Sequence, residues 1–200
     1  LIGKKGKIIT CHLGNGASIT AVENGKCVDT SMGFTPLAGV VMGTRSGDID
    51  PYIPLYIIKT QNKTPDEVNT LLNKQSGMLG ICGFSDNRDV EVGYLKGEQK
   101  AIDAMNVYVH TLLRFIGSYI AVLGGVDAIV FTAGVGENGS IVRKLVVERL
   151  AYMGIKLNEE NNNKRGQTLE ISTPDSKVHV FVIPTDEELM IAKDTMKLVF

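Results

Sequence analysis

Apolar residues recur at two different periods along this chain, and the change of period marks its elements. The run Lys7-Ile8-Ile9-Thr10-Cys11 is rich in β-branched residues, and Ala17 to Val22 alternates apolar with polar positions, as a half-buried strand does. Asn24-Gly25 follows, two residues that tolerate positive φ and so signal a tight hairpin. A meander of three short strands is predicted from Lys7 to Ser31. The period then vanishes. Between Gly33 and Pro51, glycines at 33, 39, 43 and 47 recur too often for a helix or strand interior, which predicts a long loop of the kind that often carries function.

Helical spacing takes over next. Helices are predicted over Pro51 to Thr60 and over Thr64 to Gln75, where Thr64 is the N-cap, Pro65 the first helical residue and Glu67 the closing member of a capping box. Ser76 to Gly83 reads as a Gly-rich connection. The most regular element is a helix from about Glu98 to Leu123, with Ile102, Met105, Val109, Leu112, Ile116, Ile120 and Leu123 spaced by three or four. Val126 to Thr132 is a buried strand of parallel-sheet type. Asn138 or Ser140 is expected to cap a helix running to about Met153. A polar stretch, Asn158 to Gly166, precedes a strand from Lys177 to Ile183 and a last helix from Asp186 to Val199. The order βββ, helices, β, α, β, α predicts an α/β fold: a mixed sheet with three leading antiparallel strands, flanked by helices.

Composition narrows the functional classes. The 200 residues are 44% hydrophobic and 22% charged, enough for one domain with a real core. Lys+Arg number 21 against 22 Asp+Glu, and no basic run follows a nucleic-acid backbone, so nucleic acid is not an expected partner. Three cysteines, Cys11, Cys27 and Cys82, are odd in number and widely spaced, which fits a reducing cytoplasm rather than a disulfide framework or a zinc knuckle. Asp103, Asn106, His110 and Arg114 interrupt the longest apolar stretch, making it a core helix and not a membrane span. The opening Leu1-Ile2-Gly3-Lys4-Lys5 has no initiator Met and no signal-peptide form, so a piece of a longer protein is expected.

Four segments could carry chemistry. In His12-Leu13-Gly14-Asn15-Gly16 the glycines let backbone amides point at one centre and Asn15 adds a donor, which suits phosphate oxygens; a plain Asn-Gly hairpin explains the same residues. Gly134 and Gly136, in Thr132-Ala133-Gly134-Val135-Gly136-Glu137-Asn138, lie between a strand and a helix start, where a ligand can approach the backbone. Glu137 would repel phosphate there, so it is read as facing a ribose hydroxyl or a loop amide. The spacing is neither G-x-G-x-x-G nor a P-loop. Arg45, between Gly43 and Gly47, has a guanidinium fork suited to a phosphoryl group in flight, or it pairs with Asp48 or Asp50. Glu187, in Pro184-Thr185-Asp186-Glu187-Glu188, either answers a helix dipole or supplies one carboxylate to Mg²⁺.

Taken in order, His12 to Ile19, Asp29 to Leu37 leading to Gly43-Thr44-Arg45, Phe131 to Asn138 and Thr185 to Leu189 resemble the acetate kinase family. The resemblance implies the ribonuclease-H-like fold of actin and sugar kinases, in which two similar domains close over a nucleotide. It also implies that residues 1–200 form the single C-terminal, nucleotide-binding domain of such a pair, the other being absent from this chain. By that likeness the family reaction is reversible phosphoryl transfer from ATP to acetate, giving ADP and acetyl phosphate, with propionate or butyrate kinase, or a non-catalytic nucleotide-binding or dimerisation module, as alternatives. His12 and Arg45 would contact the phosphoryl group, and Leu13, Gly14, Asn15 and Gly16 with His12 would hold the phosphates. Gly134, Val135, Gly136, Glu137 and Asn138 would meet the nucleoside, Pro36 would line the acyl pocket, and Glu187 would serve Mg²⁺. Asp86, Asn87 and Arg88 resemble the adenosine-contacting turn, with Arg88 stacked on the base; many relatives carry an apolar residue where Asn87 stands. A homodimer through this domain is implied, and so is inactivity of the chain alone, because the family's first domain supplies an acid-binding arginine, an aspartate, a second histidine and part of the pocket.

Overall fold

The computed structural model describes residues 6–199; residues 1–5, on which the abrupt start was read, and Phe200 lie outside them. The meander forms as expected from β1 (Lys7–Leu13), β2 (Ala17–Glu23) and β3 (Lys26–Thr30). Its second turn has φ of 52° at Asn24 and 79° at Gly25, the paired positive values a primed hairpin requires. β4 (Ala128–Thr132) lies parallel to β1, and β6 (His179–Val182) lies parallel to β4. β5 (Leu169–Glu170), too short to leave a pattern in the sequence, pairs antiparallel with β6 and closes the edge. The sheet order among the described residues is β3-β2-β1-β4-β6-β5, the mixed sheet of the ribonuclease-H-like fold.

The core sits between this sheet and the long helix. Ile9, Cys11 and Leu13 of β1, with Ile19 of β2 and Phe131 of β4, are fully buried in one cluster with α5 (Gln99–Leu123). Burial pushes the Cys11 thiol and the Tyr108 phenol well above their ordinary ranges. The face α5 buries is broader than the predicted stripe. Ala101, Ala104, Tyr108 and Tyr119 join Met105, Val109, Leu112, Ile116 and Leu123 inside, while Ile102 and Ile120 are only partly buried. The two alanines let the helix approach its neighbours closely. By length and composition α5 could cross a membrane, yet its buried face packs on β1, β2, α3 (Gly77–Cys82), α4 (Asn87–Leu95) and α7 (Ser140–Arg149), as a core helix does.

Around it the helices differ from expectation at definite places. α1 (Tyr52–Gln61) buries no residue, and α2 (Pro65–Lys74) carries the predicted capping box, with Glu67 N–H donating to Thr64 Oγ1 at 3.3 Å and Thr64 N–H to Glu67 Oε2 at 2.7 Å. The stretch read as a connection contains α3, capped by Gly83 in the left-handed region. α4 was not predicted; Asp86 caps it, accepting from the Arg88 amide at 2.9 Å. α6 (Ala133–Asn138) is a single short helix, and α7 begins after Gly139 with no side-chain cap. Neither Asn138 nor Ser140 caps it: Asn138 Nδ2 instead donates back to the Gly134 carbonyl at 2.9 Å. α7 stops at Arg149, and a 3₁₀ turn continues to Met153. Within the polar stretch lies α8 (Glu159–Asn162), capped by Asn158. α9 (Glu187–Val199) buries no residue.

Candidate functional site

Parallel pairing brings three loops to one edge of the sheet. His12 is in register with Thr132, and Phe131 with Val182, so β1, β4 and β6 end at one level. In open α/β sheets the carboxyl ends of the strands are where ligands bind. After β1 comes Gly14-Asn15-Gly16. Unlike Asn24-Gly25, Asn15 and Gly16 do not take positive φ, and the Gly14 amide donates to the Gly16 carbonyl at 2.9 Å. A primed Asn-Gly hairpin therefore does not describe this turn. After β4, Ala133 takes φ of 63°, a left-handed conformation unusual without glycine. Its Cβ lies 3.8 Å from where a Cβ on Gly14 would stand, so the first two loops touch. After β6, the stretch to Glu187 brings that carboxylate to 3.8 Å from His12 Nε2.

The long Gly-rich loop joins them, held from beneath by the helix the sequence hid. Met78 and Leu79 of α3 donate their amides to the carbonyls of Met42 and Gly43, each at 2.9 Å, and Ser76 donates to Thr44 at 3.0 Å. Gly77, at φ of 64°, has no room for a side chain: a Cβ would stand 2.2 Å from the Met42 carbonyl oxygen. The loop so pinned carries Arg45, whose Nη1 donates to the Pro36 carbonyl at 3.3 Å and lies 3.6 Å from Met42 Sδ. Asp48 accepts from the Gly39 amide and Asp50 from the Tyr52 amide, each at 2.8 Å, so the Arg-Asp pairing weighed from sequence does not form. Among the described residues Arg45 has no carboxylate partner. Pro36 is exposed beside it.

A cleft runs from this cation across the sheet edge. A space of about 130 Å³ is lined by Asn15, Gly16, Thr44 and Arg45, and one of about 630 Å³ by Gly14, Asn15, Asp86 to Arg88, Glu91, Gly134, Val135, Asn138, Gly139 and Arg165. Asn15 lines both, so they adjoin. Nothing stands within 4 Å of a Cβ on Gly134, which is the glycine that opens onto the cleft. Gly136 does not open onto it: it is buried, and a Cβ there would meet the Phe131 backbone at 3.3 Å and the Cys11 carbonyl at 3.4 Å. Glu137 also turns away, Oε1 accepting from the Thr185 amide at 3.0 Å and its hydroxyl at 3.2 Å. Of the two contacts weighed for it, the loop amide is the one formed. At the far rim the Arg88 guanidinium grips Asp86, with Nη2 to Oδ2 at 2.5 Å, and holds the Asp86 carboxyl down at about 2.

The model of the acetokinase family matches residues 2–193 of this sequence. The chain belongs to that family. It is 58% identical to the acetate kinase of Clostridium novyi (strain NT) over 194 residues, which is 96% of this chain and 48% of that protein. Its structure matches Porphyromonas gingivalis acetate kinase with a TM-score of 0.92 at 45% identity, covering 98% of this chain and 50% of the other. A propionate kinase from Francisella tularensis matches with a TM-score of 0.88, also at 45% identity, over 94% of this chain and 48% of that one. The chain thus spans about half the length of the acetokinase relatives it matches.

One residue in this acetokinase fold escaped sequence reasoning although it organises the cleft wall. Arg143 is fully buried, and its Nη1 donates to the carbonyls of Gly136 and Glu137, both at 2.8 Å. Its Nε donates to Asn162 Oδ1 at 2.8 Å, and Asn162 Nδ2 donates to the Ser140 carbonyl at 2.9 Å. The guanidinium thus satisfies carbonyls at the end of α6 that the short helix leaves open. Burial, then the charge of Arg165, lowers its pKa to about 10, so it stays a cation at neutral pH. The signal was present: Arg143 sits three and four residues before Val146 and Val147, on the stripe α7 buries.

Proposed function

We propose that the complete protein is an acetate kinase and that this chain is its nucleotide-holding, C-terminal domain. In the proposed reaction a carboxylate oxygen of acetate attacks the γ-phosphorus of ATP. A new O–P bond forms, the bond to the β-phosphate oxygen breaks, and its electron pair leaves with ADP. The observation that carries this reading is the meeting of Gly14-Asn15-Gly16, Gly134-Val135 and the unpaired Arg45 at one cleft. Arg45, which has no carboxylate partner among the described residues, stabilises the charge that gathers on the transferring group, and His12 lies at the same end. Gly14, Asn15 and Gly16 hold the phosphates; Val135, Asn138 and the turn from Asp86 to Arg88 hold the nucleoside. Gly136 and Glu137 act through the loop they shape. Pro36 forms one wall of the acyl pocket, on the side of Arg45 where this half is open.

Mg²⁺ is part of the proposal. No cluster of three His, Cys, Asp or Glu able to hold a metal occurs among the described residues. Mg²⁺ needs only one or two carboxylates when phosphate oxygens and water complete its shell, so Glu187 beside His12 fits a phosphate-borne ion rather than a resident one. Such an ion would offset phosphate charge, while Glu187 orients it. A cytoplasmic setting accords with the free thiols of Cys11, Cys27 and Cys82.

A hydroxamate trap on the full-length protein with ATP and acetate tests the reading, and no acyl phosphate from any short-chain acid would overturn it. Propionate is the second reading, favoured by the Francisella likeness and by the openness of the Pro36 side; kcat/KM for acetate, propionate and butyrate ranks them. The chain alone is proposed to be inactive and to self-associate through exposed apolar residues such as Tyr52, Leu55 and Tyr56 of α1. Sedimentation of the isolated chain tests that: a monomer at high concentration counts against it.

A further inference from the structure

The connection from β6 to α9 carries the Glu187 carboxylate, yet packing does not hold it in place. α9 buries no residue, and its first turn is organised by Asp186, whose Oδ1 accepts from the Leu189 amide at 3.1 Å. At the sheet end, Ile183 donates its amide to the Phe131 carbonyl at 3.0 Å. Between those two points, the hydrogen bonds to another element among the described residues are the two from Thr185 to Glu137: the amide to Oε1 at 3.0 Å and the hydroxyl to the same oxygen at 3.2 Å. Thr185 adjoins the residue that caps α9, and Glu187 follows that cap. A carboxylate 48 positions earlier in the chain thus fixes where α9 starts.

Glu137 is itself firmly based. Its carbonyl accepts from Nη1 of the buried Arg143 at 2.8 Å, and the Gly139 amide closes α6 on the Val135 carbonyl at 2.7 Å. The side chain therefore reaches the β6–α9 connection from a rigid turn, and a carboxylate accepts more strongly than a neutral carbonyl would. Two residues beyond the latch, Glu187 stands 3.8 Å from His12 Nε2 at the phosphate end of the cleft. We propose that Glu137 is a positioning residue, which sets the place of the Glu187 carboxylate through Thr185 and touches neither nucleotide nor metal. This rests on the reading of Glu187 as the carboxylate that serves a phosphate-borne Mg²⁺. Groups that orient a metal's carboxylate without touching the metal are worth about 10- to 100-fold in metal affinity. Glu137 therefore governs how tightly ATP is held with Mg²⁺, and not how tightly it is held without.

The test is calorimetric titration of the full-length protein with ATP, once with Mg²⁺ and once with EDTA. Glu137→Ala is expected to weaken ATP binding in Mg²⁺ by roughly 10-fold or more and to leave binding in EDTA unchanged. Glu137→Gln, which keeps an oxygen for the Thr185 amide, should lose less than Glu137→Ala. In a Glu187→Gln background, Glu137→Ala should add little, because the carboxylate it positions is already gone. Equal losses in the two media overturn the inference, since they mark a direct nucleotide contact or a general loosening of the loop. A folded Glu137→Ala protein with wild-type affinity in Mg²⁺ overturns it too, and so does a full further loss in the Glu187→Gln background. Thr185→Val removes only the hydroxyl donor and answers the same question should Glu137→Ala not fold: its smaller loss must be confined to Mg²⁺. A wild-type protein that binds ATP equally in both media overturns the Mg²⁺ reading and this inference with it, whereas binding in neither overturns the nucleotide reading itself.

Discussion

Gly16 and Arg45 share one space: a Cβ on Gly16 would stand 3.2 Å from Nη1 of the guanidinium. The bareness of the first loop is therefore what leaves the cation of the second its place. Gly16→Ala, at a backbone with no positive φ to strain it, is expected to leave the melting temperature nearly unchanged while shifting Arg45. Because displacing a catalytic group by an ångström costs up to about 100-fold, the acyl phosphate formation proposed for the full-length protein should fall roughly 10- to 100-fold in this variant if Arg45 acts as proposed. A wild-type rate would show that Arg45 is not needed where it stands.

Gly77→Ala should act on stability first. A left-handed residue with a side chain costs about 1–2 kcal/mol, and the clash with the Met42 carbonyl adds to it. Urea unfolding should give a loss of at least about 1 kcal/mol. Full stability would mean that the loop and α3 part easily.

Arg143→Met removes the donors that face Gly136, Glu137 and Asn162 while keeping apolar bulk. Each stranded buried acceptor costs about 1–3 kcal/mol, so a loss of about 3 kcal/mol or more is expected. Asn162→Ala should cost less, and the double variant should cost less than the two changes summed, since both act on one network. Additive losses in the denaturant midpoints would contradict the shared network.

Asp86 offers a test by pH. Its carboxyl, held at about 2 mainly by the Arg88 side chain, lies below the ordinary value of about 3.9. A depressed carboxylate stabilises fully above its unfolded pKa, so the clasp is intact above about pH 4 and is lost as pH falls toward 2. Carboxyl chemical shifts should place the Asp86 midpoint near 2, and Arg88→Ala should raise it. The same midpoint in both proteins would show that the clasp is not what lowers it.

Local chemistry is what sequence reading caught. The meander, the capping box at Thr64 and the span of α5 follow from periodicity and turn residues alone, and the two glycine loops stood out by composition. What it missed depends on contacts distant in sequence. Gly77 opens α3 because Met42 lies above it, 35 positions earlier, which no window around Gly77 contains. α4 buries only Val90 and Gly93, too little to leave an apolar stripe. Gly136 and Gly134 look alike as letters, yet one packs on the sheet and the other faces the cleft. Glu137 finds Thr185, and Arg143 finds Asn162, only once the sheet is assembled.

The hydrogen bonds between the start of α3 and residues 42–44 have a thermodynamic corollary. Main chain tethered at three successive carbonyls has already lost its conformational freedom when the domain folds. Little disorder then remains to be surrendered on binding the nucleotide proposed for this cleft, so more of the contact energy would be available for holding it. A swinging loop would weaken capture by the entropy of its own arrest; this one is already shaped before any ligand comes.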